Sequence, residues 1–283
     1  MKIEFNTNNE SETREYSLEK MIILQGKQYH NNGSESQFSE DVSVTITKNS
    51  TSEIIANVLR SNHKKNWKRF CDNPIDHYFI KSAQPLYKLE LRLLPDGKID
   101  TVLNRNEVLK QWEYTKLYLD KYFVSEDNRI IDQLNRWTDQ IEQQIVDEQL
   151  FMDLVCNNLF YGVFFNGYWK DYGDENRIII DQSFPFLFGS SKLILTEDIK
   201  VTKKTDGVSL SVTGTFNKKE SDVLAISQYL DVDEKDVDNL IVDLETNYLI
   251  DKNGLIDSVD LYIFAELDGS DFKKQCGLKI KKK

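Results

Sequence analysis

Apolar and polar residues alternate along both ends of the chain and change to a three-to-four residue spacing only in its middle. Residues 16–24 and 42–47 place an apolar side chain at every second position, the repeat of a strand with one face in a core and the other in water. Lys48-Asn49-Ser50-Thr51 closes the second run as a turn, while the Ser-, Asn- and Glu-rich stretches 11–15 and 31–39 read as solvent loops. A hairpin follows: Tyr87, Leu89, Leu91 and Leu93 alternate with Lys88, Glu90 and Arg92, Pro95-Asp96-Gly97 supplies the turn, and Ile99 restarts an extended run.

From Asn106 the period changes. Val108, Leu109, Trp112, Leu119 and Phe123 fall on one side of a helix, with Asn106 as its cap and Glu107 in its first turn. Ile130, Leu134, Trp137, Ile141 and Ile145 mark a second amphipathic helix, which either continues to about Leu159 or breaks near Asp147. Residues 160–188 are the most aromatic part of the chain. Gly162, Gly167, Gly173 and Pro185 interrupt them, so turns and short strands are expected there, with a strand at 177–180.

The last third returns to strands. Runs at 199–202 and 208–212 flank Thr205-Asp206-Gly207, a short helix is expected at 221–230 with a further helical turn at 236–240, and extended runs follow at 240–250, 255–267 and 272–280. The segments 93–100 and 249–257 rhyme, each running strand, Asp/Asn-Gly turn, x-Ile-Asp and strand. Internal duplication and common hairpin chemistry both account for the rhyme. Together these patterns predict an α+β protein in which two antiparallel β-meander lobes, residues 1–103 and 189–283, flank a helical middle, 104–188, as separate units or as one continuous domain.

Composition narrows the function classes. A content of 40% hydrophobic and 11% aromatic residues suffices for a large core. The net charge of -11 argues against a general nucleic-acid binder and favours a partner with a basic surface. Cys71, Cys156 and Cys276 form no disulfide framework, and neither a leader in Met1 to Asn8 nor a membrane-spanning run is read, so the expected address is the cytoplasm.

Catalytic motifs are wanting. No glycine-rich phosphate loop is present, and His30, His63 and His77 accompany no nucleophile elbow. His63, Cys71 and His77 match no structural zinc spacing, while Asp231, Asp233 and Asp236 begin a calcium-like loop that Asp236 itself and Val242 then spoil. No catalytic residue, metal or cofactor is assigned.

Two segments stand out as contact surfaces. His63-Lys64-Lys65-Asn66-Trp67-Lys68-Arg69-Phe70 surrounds two aromatics with cations, read as an amphipathic helix anchored by Trp67 and Phe70 or as a grip for an acidic protein or single-stranded nucleic acid. The aromatic belt is the other: core packing is its plain reading, and Tyr168, Trp169 and Tyr172 are the residues expected to meet a partner where it is exposed. The function expected from these features is a non-enzymatic protein-binding factor, of chaperone, immunity or assembly type. A carrier of an apolar or amphiphilic ligand between curved sheet and helices is the alternative, and a hydrolase using paired carboxylates is a third. No family is recognised from the residues, and the order of long strands about central helices resembles curved-sheet lipoprotein carriers, which are exported proteins, only at the level of fold.

Overall fold

The computed structural model describes residues 1–5, 11–25, 34–49, 53–67, 74–123, 128–184, 187–188 and 191–283. Its frame is one antiparallel sheet of eleven strands, ordered β5-β4-β3-β2-β1-β11-β10-β9-β8-β7-β6. The first five are β1 (Ser11–Gln25), β2 (Ser34–Lys48), β3 (Ile54–Trp67), β4 (Lys88–Leu93) and β5 (Ile99–Val102). The other six are β6 (Arg177–Ser183), β7 (Ile194–Lys204), β8 (Gly207–Phe216), β9 (Leu240–Asp251), β10 (Ile256–Leu267) and β11 (Lys273–Lys282). Each set is a meander, as expected. The two are not separate sheets: β1 pairs with β11 from Tyr16 opposite Lys282 to Gln25 opposite Lys273, so the first and last strands fuse the halves.

Alternation accounts for the strands because one face is buried and the other wet. Along β9 every even-numbered residue from Leu240 to Ile250 is interior and every odd-numbered one from Ile241 to Leu249 exposed. The polar stretches expected as loops are drawn into strands by the same logic. Ser11 and Thr13 occupy the wet face of β1, where their hydroxyls pair with Thr47 at 2.7 Å and Thr45 at 2.8 Å, and 34–39 likewise belong to β2. The expected helix over 63–70 is also replaced, since β3 runs to Trp67; Lys68, Arg69 and Phe70 lie outside the described residues.

The helices are α1 (Pro74–Ser82), α2 (Arg105–Tyr122), α3 (Asn128–Val146), α4 (Glu148–Cys156), α5 (Leu159–Phe164) and α6 (Val223–Leu230), with 3-10 turns at Gln84–Tyr87 and Glu234–Asn239. The break near Asp147 is real: its carboxylate accepts from Leu150 N at 2.9 Å and caps α4. Asn104 rather than Asn106 precedes α2, and its side chain ties the helix entry to β4 by accepting from Glu90 N and donating to Lys88 O. The aromatic belt opens with a helix, α5, instead of the expected turns. Gly162 does not break it, because the missing side chain lets α5 approach α4; a Cβ there would stand 2.7 Å from Cys156 O.

The rhyming hairpins adopt one geometry. In the first, Leu94 N donates to Lys98 O and Gly97 N to Leu94 O; in the second, Asp251 N donates to Leu255 O and Gly254 N to Asp251 O. Gly97 and Gly254 both take positive φ, 91° and 78°. Trp169 joins the two turns: its backbone N–H donates to Asp96 O at 3.0 Å and its indole N–H to Gly254 O at 2.7 Å, while its ring stacks on Phe5. Two hairpins separated by four intervening strands can meet on one side chain only if the sheet is curved. The buried Arg14 adds a second clamp, reaching Asp257 at 2.9 Å, Asp251 and Glu12 from β1.

Candidate functional site at the charged end of the concave face

The interior face of β2 is apolar from Ile46 through Val44 to Val42 and then changes to Glu40, which is 5% exposed. Opposite it the β2–β3 register slips, with Asn62 at a φ of 53°. This bulge explains how the site forms. In a regular strand, residues 60 and 63 would face opposite sides, whereas the extra residue lets Arg60 and His63 both turn towards Glu40.

Arg60 Nη2 stands 2.7 Å from Glu40 Oε1 with its Nε 3.0 and 3.1 Å from the two oxygens, and His63 Nδ1 lies 2.9 Å from Oε2. The guanidinium rests among the rings of Tyr87, Phe160 and Tyr161, each 5.7 to 5.8 Å away. His63 packs on Tyr87 at 4.1 Å, and its Nε2 is buried with no hydrogen-bond partner among the described residues. Burial by itself would raise the Glu40 carboxyl, but the His63 hydrogen bond and the Arg60 charge outweigh it and hold it below the ordinary value. Burial pushes the Tyr87 hydroxyl up to about 12, against the opposing charge of Arg60.

One step further along β1 lies Lys20, on the same face as Tyr16 and Leu18 and opposite Phe38 and Leu278. Burial pulls its pKa down, with Cys276 and Glu40 opposing and Arg60 and Lys274 adding to the fall. No ion pair or hydrogen bond holds its ammonium among the described residues. Phe38 opposite it and Ile22 and Leu24 beyond it are half-buried, where their counterparts nearer the middle of the strands, Leu18 and Val42, are buried. The concave face thus ends in an incompletely covered apolar strip with a desolvated cation at its inner limit.

The residues singled out in the sequence fall elsewhere. Tyr168, Trp169 and Tyr172 are 4%, 5% and 1% exposed and fill the concave side, so they offer no contact surface in this structure. The physical reason is the curvature: an apolar sheet face bent around a volume needs its largest side chains inside it. Tyr172 N donates to Met1 O and Ile3 N to Lys170 O, so the N-terminal segment closes over them. Lys64 is exposed on β3; Lys65 and Trp67 lie in the same strand opposite Phe38 and Ser36, and Lys68 and Arg69 fall outside the described residues.

An aromatic surface does exist, on α2. Tyr114, Leu117, Tyr118 and Tyr122 are 70%, 67%, 40% and 59% exposed and follow helical spacing on a side adjoining the buried Val108, Trp112, Thr115 and Leu119. Lys81 lies over Tyr118 and Lys121 over Tyr122, and the two tyrosine rings are 4.4 Å apart. This stripe was legible as a second apolar side of the helix beside the Val108 to Leu119 spacing.

No known protein family and no curated protein matches the chain. Among solved structures, one of lipovitellin concerned with lipid-protein interactions superposes with a TM-score of 0.52 at 12% identity, covering 99% of this chain and 25% of that one. A porin-like protein from Bacteroides uniformis gives a TM-score of 0.16 at 7% identity over 94% of this chain and 96% of that one, too low for any structural argument. The chain therefore spans about a quarter of the lipovitellin chain it matches, and the likeness is one of fold.

Proposed function

We propose that the protein is a carrier of an amphiphile with an anionic head, held at the charged end of the concave face. The observation that carries the proposal is Lys20, a half-buried lysine on the inward face with no ion pair or hydrogen bond among the described residues, set beside the half-buried Ile22, Leu24 and Phe38. A carboxylate or phosphate head would supply the missing counter-charge while its chain covers apolar surface, and the two requirements together select an amphiphile over a simple anion. The aromatic filling around Trp169 occupies the middle of the trough, which moves the ligand to its end. The similar fold of lipovitellin, whose structure concerns lipid-protein interactions, supports the same reading.

The test is binding of oleate, followed by native mass spectrometry and titration. Lys20→Glu is expected to weaken it by about tenfold or more, since a charge-assisted hydrogen bond is worth roughly 1.5–3 kcal/mol, whereas Lys64→Glu, on exposed β3, leaves it unchanged. Absence of oleate binding, or equal affinity in Lys20→Glu, overturns the proposal.

The exposed α2 stripe favours a second reading, association with another protein. Tyrosine is the side chain that contributes contact area at small entropic cost, and flanking Lys81 and Lys121 suit an acidic rim on the partner. The two readings are compatible, because a carrier must deliver its ligand.

A further inference from the structure

A second buried carboxylate lies in the other half of the sheet. Glu197, on β7, is 7% exposed and faces inward beside Gly214 of β8, where a Cβ would come within 3.4 Å of its Cγ. It lines a cavity of about 190 Å³ between β7, β8, β9 and the α4–α5 junction, whose apolar wall includes Val163, Val212 and Leu244. The exposed Ser183 of the edge strand β6 marks its mouth. Among the described residues no side chain pairs with the Glu197 carboxylate and no other acid lines the cavity, so the carboxylate pair a glycosidase would need is not formed by them.

Of the neighbouring polar groups, Asn166 is oriented by Tyr248 so that its amide oxygen is left as an acceptor. Tyr248 OH donates to Val163 O at 3.2 Å, so its oxygen accepts from Asn166, which must present its Nδ2, at 2.6 Å. Asn166 Oδ1 is left buried without a partner. The Glu197 carboxylate and the Asn166 amide oxygen do not make a metal site, since no group of three or more His, Cys, Asp or Glu gathers among the described residues. They do match the several donors of an alkylammonium, whose hydrocarbon part would lie on the valine and leucine wall.

We infer that this cavity is a binding site for a small organic ammonium ion, with Glu197 as its counter-charge. An apolar cavity of about 150 Å³ takes a ring the size of benzene, so an amine of four to six heavy atoms, an estimate on the same scale, is roughly the size that fits. The site is independent of the amphiphile site around Lys20.

The experiment uses n-butylammonium on the intact chain, with 1-butanol and butyrate as matched neutral and anionic probes. Titration at pH 8 is expected to detect butylammonium alone, and Glu197→Gln to weaken it by about tenfold or more, with circular dichroism confirming that the variant is folded. Cys156, which lines the same cavity, provides a second readout: butylammonium is expected to slow its alkylation by iodoacetamide, followed on the Cys156 peptide by mass spectrometry. Binding of 1-butanol as tight as that of butylammonium, failure of butylammonium to bind, or unchanged affinity in Glu197→Gln overturns the inference.

Discussion

Glu40 and Glu197 occupy equivalent kinds of place in the two halves of the sheet, both on the inward face of an interior strand and both about equally buried, yet their environments drive them in opposite directions. Glu40 meets Arg60 and His63 across a bulge and is held in its charged form. Glu197 faces a glycine and a cavity, and burial raises its pKa to about 7 despite the opposing charges of Lys170 and Lys98. Burial alone therefore decides neither charge state nor role; the partner does. A satisfied carboxylate is a structural tie, and an unsatisfied one is a place where something else can bind.

The comparison breaks most readily at Arg60. Arg60→Ala leaves Glu40 buried without its main partner and is expected to cost about 3–5 kcal/mol in urea denaturation. Glu40→Gln combined with Arg60→Met is expected to recover most of that loss, because the penalty belongs to the orphaned charge. Next in size is Glu197→Gln. A carboxyl whose folded pKa lies at about 7, above its ordinary value of 4.5, opposes folding once pH rises above that lower value. The variant should gain roughly 3 kcal/mol over the parent at pH 8 and nothing at pH 4, at about 1.4 kcal/mol per pH unit.

Glu40 should show the opposite pH dependence. Its folded pKa is depressed, so its contribution is complete above the ordinary carboxylate range and is lost as the solution is acidified through it. The stability of the parent chain should fall below pH 4.5, the ordinary value of a glutamate, more steeply than that of the Glu40→Gln, Arg60→Met double variant. The smallest expected change in stability, within about 0.5 kcal/mol, is that of Tyr114→Ser with Leu117→Ser on α2. These exposed side chains are expected to matter only for association, and pull-down of a partner by the parent and not by the variant would separate that role from the sheet's.

The readable parts of the fold are those whose signal is local. Pro95-Asp96-Gly97, Thr205-Asp206-Gly207 and Asn253-Gly254 mark hairpins because turn geometry needs particular residues within three or four positions, and Asp147 starts a new helix for the same reason. Alternation identifies strands and even predicts which positions turn inward. Polar strand ends such as Ser11 to Glu15 escape it, since a wet sheet face places no apolar demand on half its residues and the backbone partner on β2 decides instead.

The candidate sites were far less legible. Lys64 to Arg69 and the Tyr168 to Tyr172 belt were conspicuous by composition, but composition does not reveal what lies against a side chain, and the belt proved to be interior. Glu40, Lys20 and Glu197 carry no distinctive motif; each is one of many charged residues, visible at most as a charge at an inward position of an alternating strand. What the sequence by itself determined was the succession of strands, turns and helices and the apolar side of each. Tertiary structure alone decided that β1 and β11 close the two meanders into one curved sheet, that a bulge at Asn62 brings Arg60 and His63 to one carboxylate, and that Gly214 leaves room beside another. Local periodicity is set by backbone geometry within a few residues, whereas the charge state and exposure of a buried group depend on neighbours contributed by distant parts of the chain.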